Sequence, residues 1–331
     1  MKAIVAEGFG EVDVLSVAAL DSVKIELDEV LIRVQASGLN GADLMQRRGL
    51  YPPPPGTSPL LGLEVSGVIE TIGAAAVDRG LNVGDRVMAL LSGGGYAEKV
   101  AVRYDQVMKL PDHLDLVEAG GVAEVFLTAY LELIWLGRLA KGQRLLIHAG
   151  ASGVGTAAIQ IAKRFGAEVF VTASSEKKLK FCEALGADHL INYKTDDFVK
   201  VIHERSAGLG VNCILDLVGA VHFQNNLKAL AVEGKLLLVG MGGGAKSEID
   251  LRQVVSKRLQ ILGSTLRSRS LDEKGQLIAE FWKDAKPRFE SGLYKPVVDR
   301  VYPYSEVRDA HQHMESKENI GKILLKWDLD V

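Results

Sequence analysis

"LLIHAGASGVGTAAIQ", residues 145–160, decides the fold. It reads as a continuous apolar strand, a glycine-rich turn and the start of a helix. The usual dinucleotide fingerprint is G-x-G-x-x-G between a strand and a helix. Gly150 and Gly155 occupy the outer positions here, Ser152 replaces the middle glycine, and Gly153 follows it. Small residues let a backbone approach a pyrophosphate at a helix N-terminus, where free N–H groups point outward. Ser152 adds a hydroxyl. A bare strand–helix turn without a ligand is the alternative, so the flanking pattern has to arbitrate.

That pattern runs outward from Gln143 to Thr265 as alternating strands and helices. EVFVTA is a second strand, SEKKLKFCEALG a helix ended by Gly186, and HLINY a third strand. VNCILDLVG, KLLLVG and QILGST continue the series with helical segments between them. Strands this apolar are buried on both faces, as in a parallel doubly wound sheet. The alternation favours dinucleotide binding over a bare turn.

The second strand bears on which dinucleotide. An NAD site places Asp or Glu about 20 residues after the fingerprint, on the ribose 2′-hydroxyl. Here the strand ends in "VTASSEKK" (171–178), with Ser174 and Ser175 at its tip and Lys177 and Lys178 behind. A carboxylate repels a 2′-phosphate, whereas hydroxyls and an ammonium bind it. NADP(H) is therefore expected. Glu176 is the counter-signal, but it falls in the following helix and is free to face solvent. Tyr193, after the third strand, is placed to stack on the adenine side.

Residues 1–122 have a different texture. KAIVA, EVLIRVQAS, SGVIETIG and DRVMALL are short, Val/Ile-rich and punctuated by Gly, Pro and Asp, as in a β-rich domain. The expected division is 1–122 as a catalytic domain, 123–265 as the coenzyme domain, and 266–331 as a segment returning to the first. At 331 residues, two domains are expected. Charged residues make up 24% and the net charge is −3, so neither a nucleic-acid nor a membrane partner is advertised. No apolar run approaches a membrane span. Cys182 and Cys213 have neither metal nor redox spacing, and a reduced, cytoplasmic setting is expected.

"GLNGADLMQRRGLYPPPPG" (38–56), "LGLEVSG" (61–67), "GADHLINYK" (186–194), "DLVGA" (216–220) and "NIGKILL" (319–325) sharpen this. Together with the glycine turn they resemble the zinc-free medium-chain dehydrogenase/reductases. Within these, the chain is similar to NADPH-dependent quinone oxidoreductases related to zeta-crystallin, along nearly its whole length. The resemblance implies a GroES-like β domain, a Rossmann domain and a cleft between them. It implies a 2′-phosphate held by Ser174, Lys178 and Tyr193, and a pyrophosphate on Ser152, Gly153 and Val154. The nicotinamide end is implied near Asn40, Thr128, the loop containing Gly240 and Met241, and 264–269, which includes Leu266; Asn319 borders the same place. Homodimers, or pairs of them, are implied through the edge strand 259–264. Met45 departs from relatives that carry a Tyr there, which leaves the substrate pocket open.

Zinc-bearing cousins use an early Cys and a His in a G-H-E motif. The matching positions are Ser37 and Leu63, and a catalytic zinc needs about three protein ligands in one place. Glu64 alone does not make one and is read as a structural acceptor, so no metal is expected. Quinones suit a site without strong acid catalysis, because they accept electrons readily. Asn40 and Tyr51 are the expected hydrogen-bond donors to substrate, with Pro52–Pro55 stiffening the loop that presents Tyr51. Asp43 is expected to orient that loop, or simply to cap a helix. Arg47 and Arg48 are expected on a solvated helix face. Arg267 and Arg269 are read either as touching phosphate or substrate or as surface-loop residues. The implied activity is quinone reduction, possible by single electrons with a semiquinone product. The alternatives are an NADPH-dependent reductase of α,β-unsaturated carbonyls and a crystallin-like NADPH-binding protein with weak catalysis.

Overall fold

A computed structural model describes residues 1–328 of the chain. It divides into two compact units, residues 1–127 with 267–331 and residues 128–266.

In the second unit, six parallel strands stand in the order His189–Asn192, Glu168–Ala173, Arg144–Ile147, Val211–Asp216, Leu230–Leu238, Gln260–Gly263. Counted along the chain this is 3-2-1-4-5-6, the doubly wound order in which ligands sit beyond the carboxyl ends at the reversal point. Burial explains the composition of the strands. Leu145, Leu146, Ile147, Val169, Phe170 and Val171 are all without exposure, as expected where helices cover both faces. The helices start on side-chain caps: Ser152 for Gly153–Arg164, Ser175 for Glu176–Ala184 and Asp197 for Phe198–Arg205. Gly166 and Gly186, at φ +72° and +107°, let the chain leave the first two helices in a conformation that L-residues resist. Among the described residues the sixth strand pairs only with Leu230–Leu238 and forms one edge of the sheet. The fifth strand begins at Leu230, earlier than "KLLLVG" suggests, because "LAVEG" joins it once the preceding helix ends at Ala229.

The first unit is built around a mixed sheet in the order Val298–Pro303, Lys322–Lys326, Glu29–Gly38, Glu64–Ile72, Arg86–Leu90, Val107–Lys109, with Lys99–Arg103 also paired to Glu29–Gly38. The C-terminal strand Lys322–Lys326 is therefore an interior strand, antiparallel to Ala36–Gly38. A core of Ile4, Val34, Val65, Tyr96, Leu325 and Trp327 fills the sheet. The helix Ala123–Tyr130 continues into a π-helical stretch, Leu131–Leu136. Among the described residues no helix is long and apolar enough to cross a membrane.

Candidate active site

In the first unit, polar side chains from six separate segments converge. The strand Glu29–Gly38 delivers the chain to Asn40, the N-cap of the short helix Gly41–Arg47. Gly38 is required there: a Cβ would stand 2.6 Å from the Gly120 carbonyl oxygen and press on Glu64. Asp43 is almost wholly buried. One carboxylate oxygen accepts the Asn40 backbone N–H at 2.8 Å, the other the Gly62 N–H at 2.9 Å. Burial pushes its pKa up to about 6, against the pull of those two N–H groups. Asp43 thus ties the helix to the 61–63 turn.

The Asn40 side chain is fully engaged. Its oxygen accepts from Lys322 Nζ at 2.7 Å, and its amide nitrogen donates to Glu64 Oε1 at 3.1 Å and to the Gly38 carbonyl at 3.2 Å. It is not the free donor expected: both N–H groups already have protein acceptors. Lys322, 4% exposed, forms an ion pair at 2.7 Å with the unexposed Glu64 and also donates to the Leu39 carbonyl. The other Glu64 oxygen accepts the Glu124 N–H at 2.9 Å. Glu124 begins the helix after the β-rich segment. Its carboxyl is pushed up to about 8 by burial and then by the Glu64 charge, with Lys322 and Lys274 opposing. One of its oxygens is buried without a hydrogen-bond partner among the described residues.

Tyr51 occupies the second half of this region. It follows Gly49, whose φ of +74° turns the chain, and precedes the proline run. Its ring is half-buried, and burial raises its pKa above the ordinary phenol value while Arg267 lowers it. Arg267 is 3% exposed, so it is no surface-loop residue. Its guanidinium lies 5.4 Å from the Tyr51 ring centre. Lys274 is 1% exposed and donates to Ser92 Oγ at 2.6 Å and the Arg267 carbonyl at 2.8 Å. Burial lowers its pKa to about 8. Arg47 corrects another expectation. It is completely buried, with Gly10 O at 3.1 Å, His311 Nδ1 at 3.2 Å and an ion pair to Glu315. The solvated partner is Arg48, which shares Glu11 and Glu315. Asn319 donates to the Gly321 carbonyl at 2.7 Å and remains half-buried.

In the second unit, the turn after the first strand carries Ala149 at φ +53° and leads into Ser152. The Ser152 hydroxyl oxygen accepts the Gly155 N–H at 3.1 Å, so its acceptor capacity serves the helix and its proton remains to donate. A Cβ on Gly155 would meet the Gly150 carbonyl at 2.6 Å. The first N–H groups of the helix, on Gly153 and Val154, have no acceptor within it. Such an N-terminus fits a pyrophosphate. At the tip of the second strand, Ser175 caps the next helix through the Lys178 N–H at 3.4 Å. Ser174 and Lys178 are half-buried there and Glu176 is exposed. Tyr193 is 45% exposed, with its ring 6.1 Å from His222. The loop with Gly240 and Met241 packs on the "DLVGA" turn, through Gly243 N to Val218 O at 2.7 Å and Ala220 N to Gly244 O at 2.9 Å. Met241 is 65% exposed, whereas Thr128 and Leu266 are 6% and 5% exposed.

Sequence reasoning assigned no role to Lys322, Glu124 or Lys274. Lys322 lay inside a quoted motif, and Glu124 was a lone acid in an apolar helix; those were the available signals. Lys274 gave none, being one charge among several in "LDEKGQ". A further network also passed unread. Buried His148 lies between Thr172 Oγ1 at 3.0 Å and Asn226 Oδ1 at 2.7 Å, stacked on His222. Asp216 holds the "DLVGA" turn through the Val218 and Gly219 N–H groups, both at 2.8 Å.

Comparison with known proteins adds to this geometry. Residues 26–112 match the family described as the alcohol dehydrogenase GroES-like domain, and 153–282 that described as zinc-binding dehydrogenase. The chain is 31% identical to the human quinone oxidoreductase, over 98% of this chain and 97% of that protein. It is 32% identical to the rat synaptic vesicle membrane protein VAT-1 homolog, over 98% and 84%. Among solved structures it is similar to the Escherichia coli quinone oxidoreductase complexed with NADPH (TM-score 0.89, 26% identity, 98% and 100% covered). It is also similar to the CurK enoyl reductase (0.88, 28%, 99% of each). The zinc of the second description does not fit the residues here. Ser37 donates to the Gly95 carbonyl and accepts from Trp327 Nε1 at 2.9 Å, Leu63 is apolar, and Glu64 is consumed by Lys322, Asn40 and Glu124.

Proposed function

The chain belongs to the quinone oxidoreductase family of medium-chain dehydrogenase/reductases, and on that premise we propose that it reduces quinones, ortho-quinones among them, without a metal. It is an NADPH-dependent oxidoreductase with a Rossmann and a GroES-like fold. The division into a catalytic segment 1–122, a coenzyme segment 123–265 and a returning segment 266–331 is part of the proposal. When bound, NADPH supplies the reducing electrons from its nicotinamide ring.

The chain's own residues have two tasks. Gly153 and Val154 offer N–H groups to the pyrophosphate, and Ser174, Lys178 and Tyr193 take the 2′-phosphate end. Tyr51 donates its hydroxyl to the acceptor's oxygen as negative charge gathers there. Burial holds the phenol above its ordinary pKa, so it acts as a donor and not as a base at neutral pH. Asn40, fully engaged, orients Lys322 and Glu64 behind the site. The observation that carries this reading is the contrast between the two expected donors: Asn40 has no N–H to spare, whereas the Tyr51 hydroxyl makes no hydrogen bond among the described residues.

The deciding experiment is coenzyme oxidation with an ortho-quinone, NADPH beside NADH. Rapid turnover preferring NADPH is expected. The S174A/K178A variant should lose about tenfold in NADPH affinity and none in NADH affinity. Y51F should lower kcat about tenfold to a hundredfold with coenzyme binding unchanged. Equal use of both coenzymes would sink the 2′-phosphate assignment. Superoxide during turnover would mark one-electron output. A second reading, favoured by the similarity to an enoyl reductase, is reduction of α,β-unsaturated carbonyls, and faster turnover on a 2-alkenal than on the quinone would select it. Tight NADPH binding without turnover on either would leave a binding protein. We also propose a homodimer through the edge strand Gln260–Gly263, and a cytoplasmic site of action.

A further inference from the structure

Arg267 is a buried cation whose acceptors among the described residues are all neutral. Its Nε donates to the Ser92 carbonyl at 2.8 Å, Nη2 to Gln46 Oε1 at 2.6 Å and Nη1 to the Tyr51 carbonyl at 3.5 Å. Gln46 in turn donates to the Pro59 carbonyl at 2.8 Å. The guanidinium therefore grips both ends of the loop, Tyr51 directly and Pro59 through Gln46, while facing the Tyr51 ring at 5.4 Å. Lys274 holds the Arg267 carbonyl at 2.8 Å. The planar fork of arginine suits this grip, and a lysine cannot reproduce it.

We propose that Arg267 is a positioning residue for Tyr51: it fixes the loop that presents the ring and supplies the positive charge facing an oxygen that turns anionic at the Tyr51 hydroxyl. This rests on the reading of Tyr51 as the substrate's donor. It favours acceptors whose oxygen gains charge at the Tyr51 hydroxyl, because only charge that develops there is held more strongly in the transition state than in the ground state. A guanidinium kept out of water interacts more strongly than an exposed one. The other groups in the neighbourhood are Asp43 and, once ionised, Glu124, which support the charge of Arg267, and Lys274, which faces its carbonyl. Glu124 also raises the Tyr51 pKa, opposing Arg267.

The test reads Tyr51 itself. In protein labelled at tyrosine Cζ, the Tyr51 signal is identified by its loss in Y51F and titrated in the wild type, R267M and R267K. The expected result is a Tyr51 titration raised by roughly one unit in R267M and within a few tenths of wild type in R267K. With the quinone, R267M should lose about tenfold in kcat, and R267K should mainly raise KM. Both losses should vanish in the Y51F background. An unchanged Tyr51 titration in R267M, or equal losses with and without the Tyr51 hydroxyl, would overturn the proposal. Should R267M fail to fold, R267K with and without Y51F decides it by the same criterion. The titration needs no turnover, so a wild type inactive on every quinone would refute the quinone reading while leaving this proposal to the titration alone.

Discussion

The two candidate half-sites are made of different materials. The coenzyme turn of the second unit is mostly backbone: free N–H groups at a helix start, a residue at positive φ, and a glycine where a Cβ would strike a carbonyl. The candidate active-site cluster of the first unit is mostly charged side chains taken out of water: Lys322, Glu64, Asp43, Lys274 and Arg267. A backbone site is local and tolerant, since neighbouring residues build it and small side chains only have to stay out of the way. A buried charge cluster is non-local and brittle, because every member's cost is offset by partners elsewhere in the chain.

Three changes probe that contrast. The largest effect is expected from K322M, which leaves Glu64 charged, buried and without its ion-pair partner. A loss of about 3–5 kcal/mol is expected from urea unfolding. E64Q/K322M should recover part of it, and a K322M variant of wild-type stability would show the cluster to be no more brittle than the turn. The second effect is a pH dependence. A Glu124 carboxyl raised to about 8 in the folded protein binds its proton more tightly there than in the unfolded chain. Its contribution is complete below the unfolded pKa near 4.5 and is lost as pH rises toward 8. Asp43, raised to about 6, adds to the lower part of that window. Stability should therefore fall by roughly 3–5 kcal/mol between pH 5 and pH 8, most of it from Glu124, and E124Q should flatten the slope. The same slope in E124Q would refute the assignment. The smallest effect is expected in the turn: S152A removes the cap on Gly155 N–H at a cost of about 1 kcal/mol. A larger loss would mean that the backbone site leans on its side chains as heavily as the cluster does.

The same contrast explains what was legible in the sequence. The strand–turn–helix of 145–160 announced itself because all its determinants lie within sixteen residues of one another, and the parallel sheet followed from apolar strands between glycine-ended helices. The acid-free tip at Ser174 was equally local. Tyr51 and its prolines were visible as a stretch. What Asn40 does was not, because the residues that consume its side chain are Gly38, Glu64 and Lys322, and the last is 282 positions away. Arg47 in "QRRG" has the pattern of a solvated helix end; Gly10 and Glu11 near the start of the sequence, with His311 and Glu315, 264 and 268 positions on, make it a buried one. Arg267 was left between two readings because no local feature reports that Ser92 and Gln46 wait for it. Periodicity records which face of an element is apolar, and it carries no information about which distant segment a charge will meet.

The place of Lys322–Lys326 as an interior strand has a consequence for how the protein is made. The second unit, 128–266, is contiguous, so all its strands are available as soon as that stretch has been synthesised. The first unit draws on residues from both sides of that stretch: Leu39 and Asn40 wait for Lys322, and Ala36–Gly38 for the strand that carries it. Until Lys322–Lys326 leaves the ribosome, the sheet lacks an inner member and Glu64 lacks its cation. Such late, long-range closure is the slow kind. Order of synthesis therefore favours unit 128–266 as the first to assemble, and the emergence of Lys322–Lys326 as the event that completes the buried charge cluster.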